Sequence, residues 1–133
     1  WNLSWNADGV DLNRSKIGFI GIGAIVVETA RRLRALSKDC VMLVYHIPYG
    51  IRCHFEEGTY RMDHVGIADL YSTCNVVIPM VPLIPTTTTN LVDYSAFSMM
   101  DNKALFINMA RCKFVCTEGM TRAFMCLTLS FRP

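Results

Sequence analysis

A chain of 133 residues, 52% of them apolar, has the length of one domain and enough apolar side chains to bury a core without metals or bridges. Its 13 basic and 11 acidic residues leave a net charge of +2, too balanced and too dispersed for a nucleic-acid or membrane-surface footprint. Cys40, Cys53, Cys74, Cys112, Cys116 and Cys126 form no disulfide framework, Cys53-His54 with His64 and Cys74 fits no zinc spacing, and the apolar run Ile17 to Val27 is about half a membrane span. The expectation is a cytoplasmic chain in a reducing compartment, with no nucleic-acid, membrane or metal partner.

Residues 1 to 15 are polar, carry two tryptophans and show no period, which suits a leading segment or the remnant of an inter-domain helix. From Lys16 the character changes. Lys16 to Ile20 reads as a buried strand, Gly21-Ile22-Gly23 as a glycine turn, and Ala24 to Leu36 as an amphipathic helix. Val26, Ala30, Leu33 and Leu36 share that helix's inner spacing, with Glu28, Arg31, Arg32 and Arg34 outside and Glu28–Arg32 as an i,i+4 pair. Val41 to Tyr45 is a second strand, 51 to 61 is irregular, and Met62 to Val65 is a short strand. Ala68 to Thr73 gives a turn or two of helix before the strand Asn75 to Met80, which runs into the proline-marked loop Val81 to Thr89. A helix over Asp93 to Met100, a strand over Lys103 to Met109 and a helix over Thr117 to Cys126 complete the order. Strands separated by helices imply right-handed crossovers and a parallel sheet covered on both faces. The expected fold is therefore α/β, a Rossmann-like doubly wound parallel sheet in three αβα layers.

A strand running into Gly21-x-Gly23 and then a helix is the context in which a glycine motif binds a dinucleotide. The first glycine permits the turn, the second lets backbone approach a pyrophosphate, and the helix start offers unpaired N–H groups to that anion. The third glycine position holds Val26, whose branched side chain is expected to push the helix outward or force repacking. A plain strand-turn-helix corner is the alternative. The acid that bonds the adenosine ribose falls here on His46, which cannot replace a carboxylate acceptor and, with Arg52 nearby, tolerates a 2′-phosphate better. The cofactor is accordingly NADP or NAD, and the other reading of His46 is a strand cap in a solvated loop.

Three stretches in the right order, G21-I-G-A-I-V-V-E-T-A-R-R-L33, N75-V-V-I-P-M-V-P-L-I-P-T-T87 and A104-L-F-I-N-M-A-R-C112, resemble the D-isomer-specific 2-hydroxyacid dehydrogenase family, over about Lys16 to Met125. The wording around Phe97 to Arg111 is closest to glyoxylate and hydroxypyruvate reductases. The resemblance implies that Gly21, Gly23, Ala24 and Ile25 line the pyrophosphate, and that Val81, Pro82 and Thr87 border the adenosine side and the cofactor's crossing point. It further implies that Met109 and Ala110 approach the nicotinamide ribose. Arg111 matches the arginine that grips the carboxylate of a small 2-keto acid, a task suited to a planar, permanently charged guanidinium. An ordinary surface ion pair is the other reading of Arg111.

The family's acid–histidine proton-transfer pair lies further along its chains than any segment matched here, and His46, His54 and His64 occupy none of the matching places. The expectation is a domain truncated on its C-terminal side, inactive alone, with a possible homodimer as its assembly. Pro79 departs from the pattern by standing in a strand that ought to be central, where proline removes a ladder hydrogen bond. The alternative is a non-catalytic module that binds a dinucleotide or a protein.

Overall fold

The computed structural model describes residues 11–45 and 62–130, with side chains as far as residue 126. Five parallel strands form one sheet in the order β3-β2-β1-β4-β5: β1 Lys16–Ile20, β2 Val41–Tyr45, β3 Met62–His64, β4 Val76–Pro79 and β5 Leu105–Phe106. The helices are α1 Ala24–Leu36, α2 Ile67–Thr73, α3 Tyr94–Met99 and α4 Thr117–Ser130. This is the doubly wound α/β fold. The strand order reverses between β1 and β4, and ligands of such sheets bind at that switch point, outside the carboxyl ends of the strands.

The period-2 alternation of the strands divides the core in two. Ile17 and Phe19 of β1, Met42 and Val44 of β2, and Val76 and Ile78 of β4 face α1, whose Val26 and Ala30 complete that cluster. Ile20, Leu43 and Val77 face the other way, against Leu70 and Tyr71 of α2, Ala96 and Phe97 of α3, and Ala123 of α4. Val26 is 1% exposed, so the residue expected to displace α1 has become one of its two buried anchors. Leu36 departs from the expected inner face, being 74% exposed, because the helix ends there and the buried Ser37 takes the inward place, its hydroxyl donating to the Leu12 carbonyl. Glu28 binds both Arg31, at 2.8 Å, and Arg32, at 2.9 Å. The hydrogen bond from Arg31 holds the Glu28 carboxyl below its ordinary pKa.

The strand expected over Lys103 to Met109 shrinks to Leu105–Phe106, and Pro79 supplies the reason. Met80 donates its N–H to Ile20 on the β1 side, so alternation turns the nitrogen of Pro79 toward β5, where it has no hydrogen to give. The last bond of that ladder runs from the Ile107 N–H to the Val77 carbonyl at 2.9 Å. Proline thus sits at the end of a central strand and closes its pairing early. Four other elements shift by a residue at one end or both, to Met62–His64, Ile67–Thr73, Val76–Pro79 and Tyr94–Met99, and α4 extends beyond Cys126 to Ser130.

Candidate functional site

The parallel strands bring the loops that follow β1, β4 and β5 to one edge of the sheet. Gly21 closes β1 with φ +99°, and a Cβ added there would lie 2.4 Å from Val81 Cγ1 and 3.0 Å from the Met80 carbonyl oxygen. Its N–H donates to the Tyr45 carbonyl at 2.7 Å, which ties the turn to the end of β2. Only glycine meets both demands, a left-handed backbone and no side chain. Gly23 differs. Its backbone is extended, and nothing stands within 4 Å of the place a Cβ would occupy.

Gly23 is the N-cap of α1 and provides no side-chain cap, while its carbonyl accepts the Val27 N–H at 3.0 Å. The first-turn amides therefore open into free space at the positive end of a 13-residue helix, with Ala24 exposed and Ile25 72% exposed around them. This is a cradle of the right chemistry for a pyrophosphate: unpaired N–H groups, a favourable dipole and room for close approach. The residues present fit a dinucleotide.

Beside the cradle, Val81 is buried, and its Cγ1 is the atom that would block a Cβ on Gly21. Pro82 and Thr87 are exposed on the loop that follows, and Thr88 is the threonine that is buried. His46, Arg52, Cys53 and His54, and the irregular stretch 51 to 61, lie outside the described residues.

One strand further along, the loop after β5 presents Met109, 58% exposed, then half-buried Ala110 and exposed Arg111. Asn108 shapes it. The side-chain oxygen of Asn108 accepts the Ala110 N–H at 3.0 Å and its amide donates to the Arg111 carbonyl at 3.4 Å. Strands about 4.8 Å apart put the ends of β1 and β5, with β4 between them, roughly 10 Å from each other, a span that a dinucleotide crosses. The structure thus brings Gly21, Gly23, Ala24, Ile25, Val81, Pro82, Thr87, Met109, Ala110 and Arg111 to one edge.

His64 ends β3 on the far side of the sheet, four strand spacings or roughly 19 Å from β5, so it cannot serve the same reacting atom as Arg111. Among the described cysteines, Cys40 and Cys74 are buried, and burial pushes the Cys74 thiol up to about 11. Among the described residues no three His, Cys, Asp or Glu side chains gather as metal ligands.

The motif A104 to C112 contains Asn108 but gives it no role, and the resemblance singles out Thr87, not Thr88, in the threonine run. A tie between the two loops was also missed. Asn90 N–H donates to the Lys113 carbonyl at 2.9 Å, Val92 N–H to Phe114 at 3.2 Å, and Cys116 N–H to Val92 at 2.9 Å. This short parallel bridge, buried on Val92 and Phe114, holds the loop after β4 to the loop after β5. Its only sequence signal is a pair of apolar residues in otherwise irregular chain.

Comparison with known proteins agrees with this geometry. Residues 1–126 match the family model of the D-isomer specific 2-hydroxyacid dehydrogenase NAD binding domain. A glyoxylate reductase from Thermofilum pendens is 32% identical over 126 residues, which is 92% of this chain and 36% of that protein. A mouse glyoxylate reductase/hydroxypyruvate reductase is 28% identical, again over 92% of this chain and 36% of its own length. Among solved structures, the NAD-dependent formate dehydrogenase of Staphylococcus aureus in complex with NAD is 27% identical with a TM-score of 0.75, over 95% of this chain and 36% of that one. This chain therefore spans little more than a third of the relatives it resembles. Its place is nonetheless defined by the match over its sequence and by the cradle at the end of β1: the chain belongs to the D-isomer-specific 2-hydroxyacid dehydrogenases, as their NAD-binding domain.

Proposed function

We propose that this domain serves an enzyme that interconverts a small 2-keto acid and its D-2-hydroxy acid, with glyoxylate or hydroxypyruvate as the keto acid. The observation that carries the reading is Arg111, exposed on the same sheet edge as the Gly21–Gly23 cradle and presented by a loop that Asn108 shapes. When bound, the nicotinamide of NADH or NADPH supplies the hydride. The cradle amides hold the pyrophosphate, Val81, Pro82 and Thr87 border the adenosine side, and the backbone at Met109 and Ala110 approaches the nicotinamide ribose. Arg111 pairs with the substrate carboxylate and polarises the keto oxygen, which raises the electrophilicity of the carbon that accepts hydride.

The nascent alkoxide also needs a proton. No residue of this chain is assigned that task, and loss of a positioned acid lowers such rates by about 10² to 10⁴. In this reading residues 1–15 are a leading segment or inter-domain remnant, 16–133 form the nucleotide domain, and the protein works in the cytoplasm.

The second reading is a non-catalytic module that binds a dinucleotide or a protein, and one observation favours a protein contact. Leu105, Ile107 and Met109, on or just beyond β5, are 45%, 37% and 58% exposed, apolar surface of the kind that packs against another protein or a second copy of this chain.

Titration of the purified chain with NADH and with NADPH, followed by fluorescence and thermal melting, tests the dinucleotide binding on which the first reading depends. Binding to the native state raises the melting temperature. Saturable binding is the expected result, and a preference for NADPH supports the role given to His46. Absence of binding by either cofactor at millimolar concentration removes the dinucleotide reading.

A further inference from the structure

The loop that follows β4 contains four consecutive threonines, and one behaves unlike the rest. Thr86, Thr87 and Thr89 are exposed, whereas Thr88 is 0% exposed. Its hydroxyl accepts the Ile84 N–H at 2.6 Å and shares its own hydrogen between the carbonyls of Pro82, at 3.0 Å, and Ile84, at 3.1 Å. The Thr88 backbone N–H closes the same turn on the Ile84 carbonyl at 2.9 Å. A buried hydroxyl that is both donor and acceptor replaces water for backbone groups that would otherwise stay unpaired.

We propose that Thr88 is the positioning residue of the nucleotide-binding loop: its buried hydroxyl folds residues 82–88 back on themselves before any dinucleotide arrives. The proposal rests on the reading of Val81, Pro82 and Thr87 as the border of the adenosine side. A loop ordered in advance spares the ligand the entropy of ordering it, so Thr88 acts on affinity without touching the ligand. The far end of the loop is pinned as well. Asn90 adopts the left-handed backbone, φ +54°, that turns the chain toward Lys113, whose carbonyl takes its N–H at 2.9 Å. The loop is thus held near both ends, by Thr88 within residues 82–88 and by Asn90 against the loop that carries Arg111.

The test is an NADH fluorescence titration of the wild-type chain, Thr88→Val, Thr88→Ser and the exposed neighbour Thr89→Val, each well below its melting temperature. Valine keeps the volume and removes every hydroxyl bond, and serine keeps the bonds. We expect T88V to raise the Kd about tenfold, with T88S and T89V within about twofold of wild type. A residue that merely stabilises the fold moves the melting temperature and leaves the Kd of the folded chain alone. Equal affinity in wild type and T88V overturns the assignment and leaves the nucleotide reading standing. A loss in T88S as large as in T88V makes the methyl group the determinant and also overturns it. Failure of the wild-type chain to bind NADH removes the nucleotide reading and the role of Thr88 together. Hydrogen exchange at the Ile84 amide decides without a variant: protection in the free chain is expected, and protection that appears only with NADH shows that the loop is not preformed.

Discussion

The glycine corner and the arginine loop lie on the same sheet edge and are built by different means. The corner stands between strands of four and five residues with buried side chains on both faces, and α1 is pressed onto it by Val26 and Ala30. The arginine loop follows a strand of two residues and is shaped by Asn108 and by the short bridge from Val92 to Val115. One region derives its shape from a packed core. The other derives it from a few directional hydrogen bonds near solvent, each contributing about 0.5–1.5 kcal/mol. Shape at the glycine corner is thus costly to change, and shape at the arginine loop is cheap to change.

The largest expected effect comes from the corner. Gly21→Ala places a Cβ 2.4 Å from Val81 Cγ1 on a backbone with φ +99°, combining overpacking with left-handed strain, and should destabilise the chain by about 3 kcal/mol or more in a urea titration. Gly23→Ala has open space and an extended backbone, so its stability loss should stay near 1 kcal/mol, while NADH affinity falls because the Cβ occupies the cradle. Equal stability losses in the two variants would show that the corner is not held by the contact with Val81.

The difference between the regions explains what could be read in advance. The boundaries of β1, α1 and β2 follow from apolar periodicity and the glycine turn, because a core-built element writes its inner face into the sequence. The strand after Lys103 reads too long because its apolar run says nothing about its neighbour, and Pro79, which ends the pairing, lies some 25 positions earlier in the sequence. Thr88 and Thr87 are chemically identical neighbours, so only the path of the loop separates the buried hydroxyl from the exposed one. Asn108 acts on backbone groups two and three residues away, an Asx-type turn that a short polar residue in any loop can make. The motifs marked the two loops that share this sheet edge, while the residues that hold those loops in shape left weaker marks.

A middle-sized effect sharpens the contrast from the arginine loop. Asn108→Ala removes two hydrogen bonds, both exposed and so near the weak end of the range for such bonds, and the unfolding free energy of the chain should fall by about 1 kcal/mol. Joined to the remaining length of the Thermofilum pendens relative, the variant should raise the KM for glyoxylate several-fold through a misplaced Arg111 and leave the Kd for NADH unchanged. Loss of NADH affinity in step with the KM would mean that the two regions form one unit, and the contrast drawn above would fail.

The smallest effect belongs to the outer surface of α1, where two arginines share Glu28. Hydrogen bonding by Arg31 depresses this carboxyl below its ordinary value of 4.5, so the folded state gains from the ionised form. The sign follows from the depression: the contribution is present above the unfolded-state pKa and is lost as pH falls through the lower folded-state value. Glu28→Gln should therefore melt slightly below wild type at pH 7, and the gap should close as the pH is taken well under 4.5. The pair is exposed and screened by salt, so raising ionic strength at pH 7 should close the same gap. A gap that persists at low pH and high salt would have to arise from contacts of the Glu28 stem with α1. The outer face would then share in holding the corner, which the contrast assigns to Val26, Ala30 and the strands beneath them.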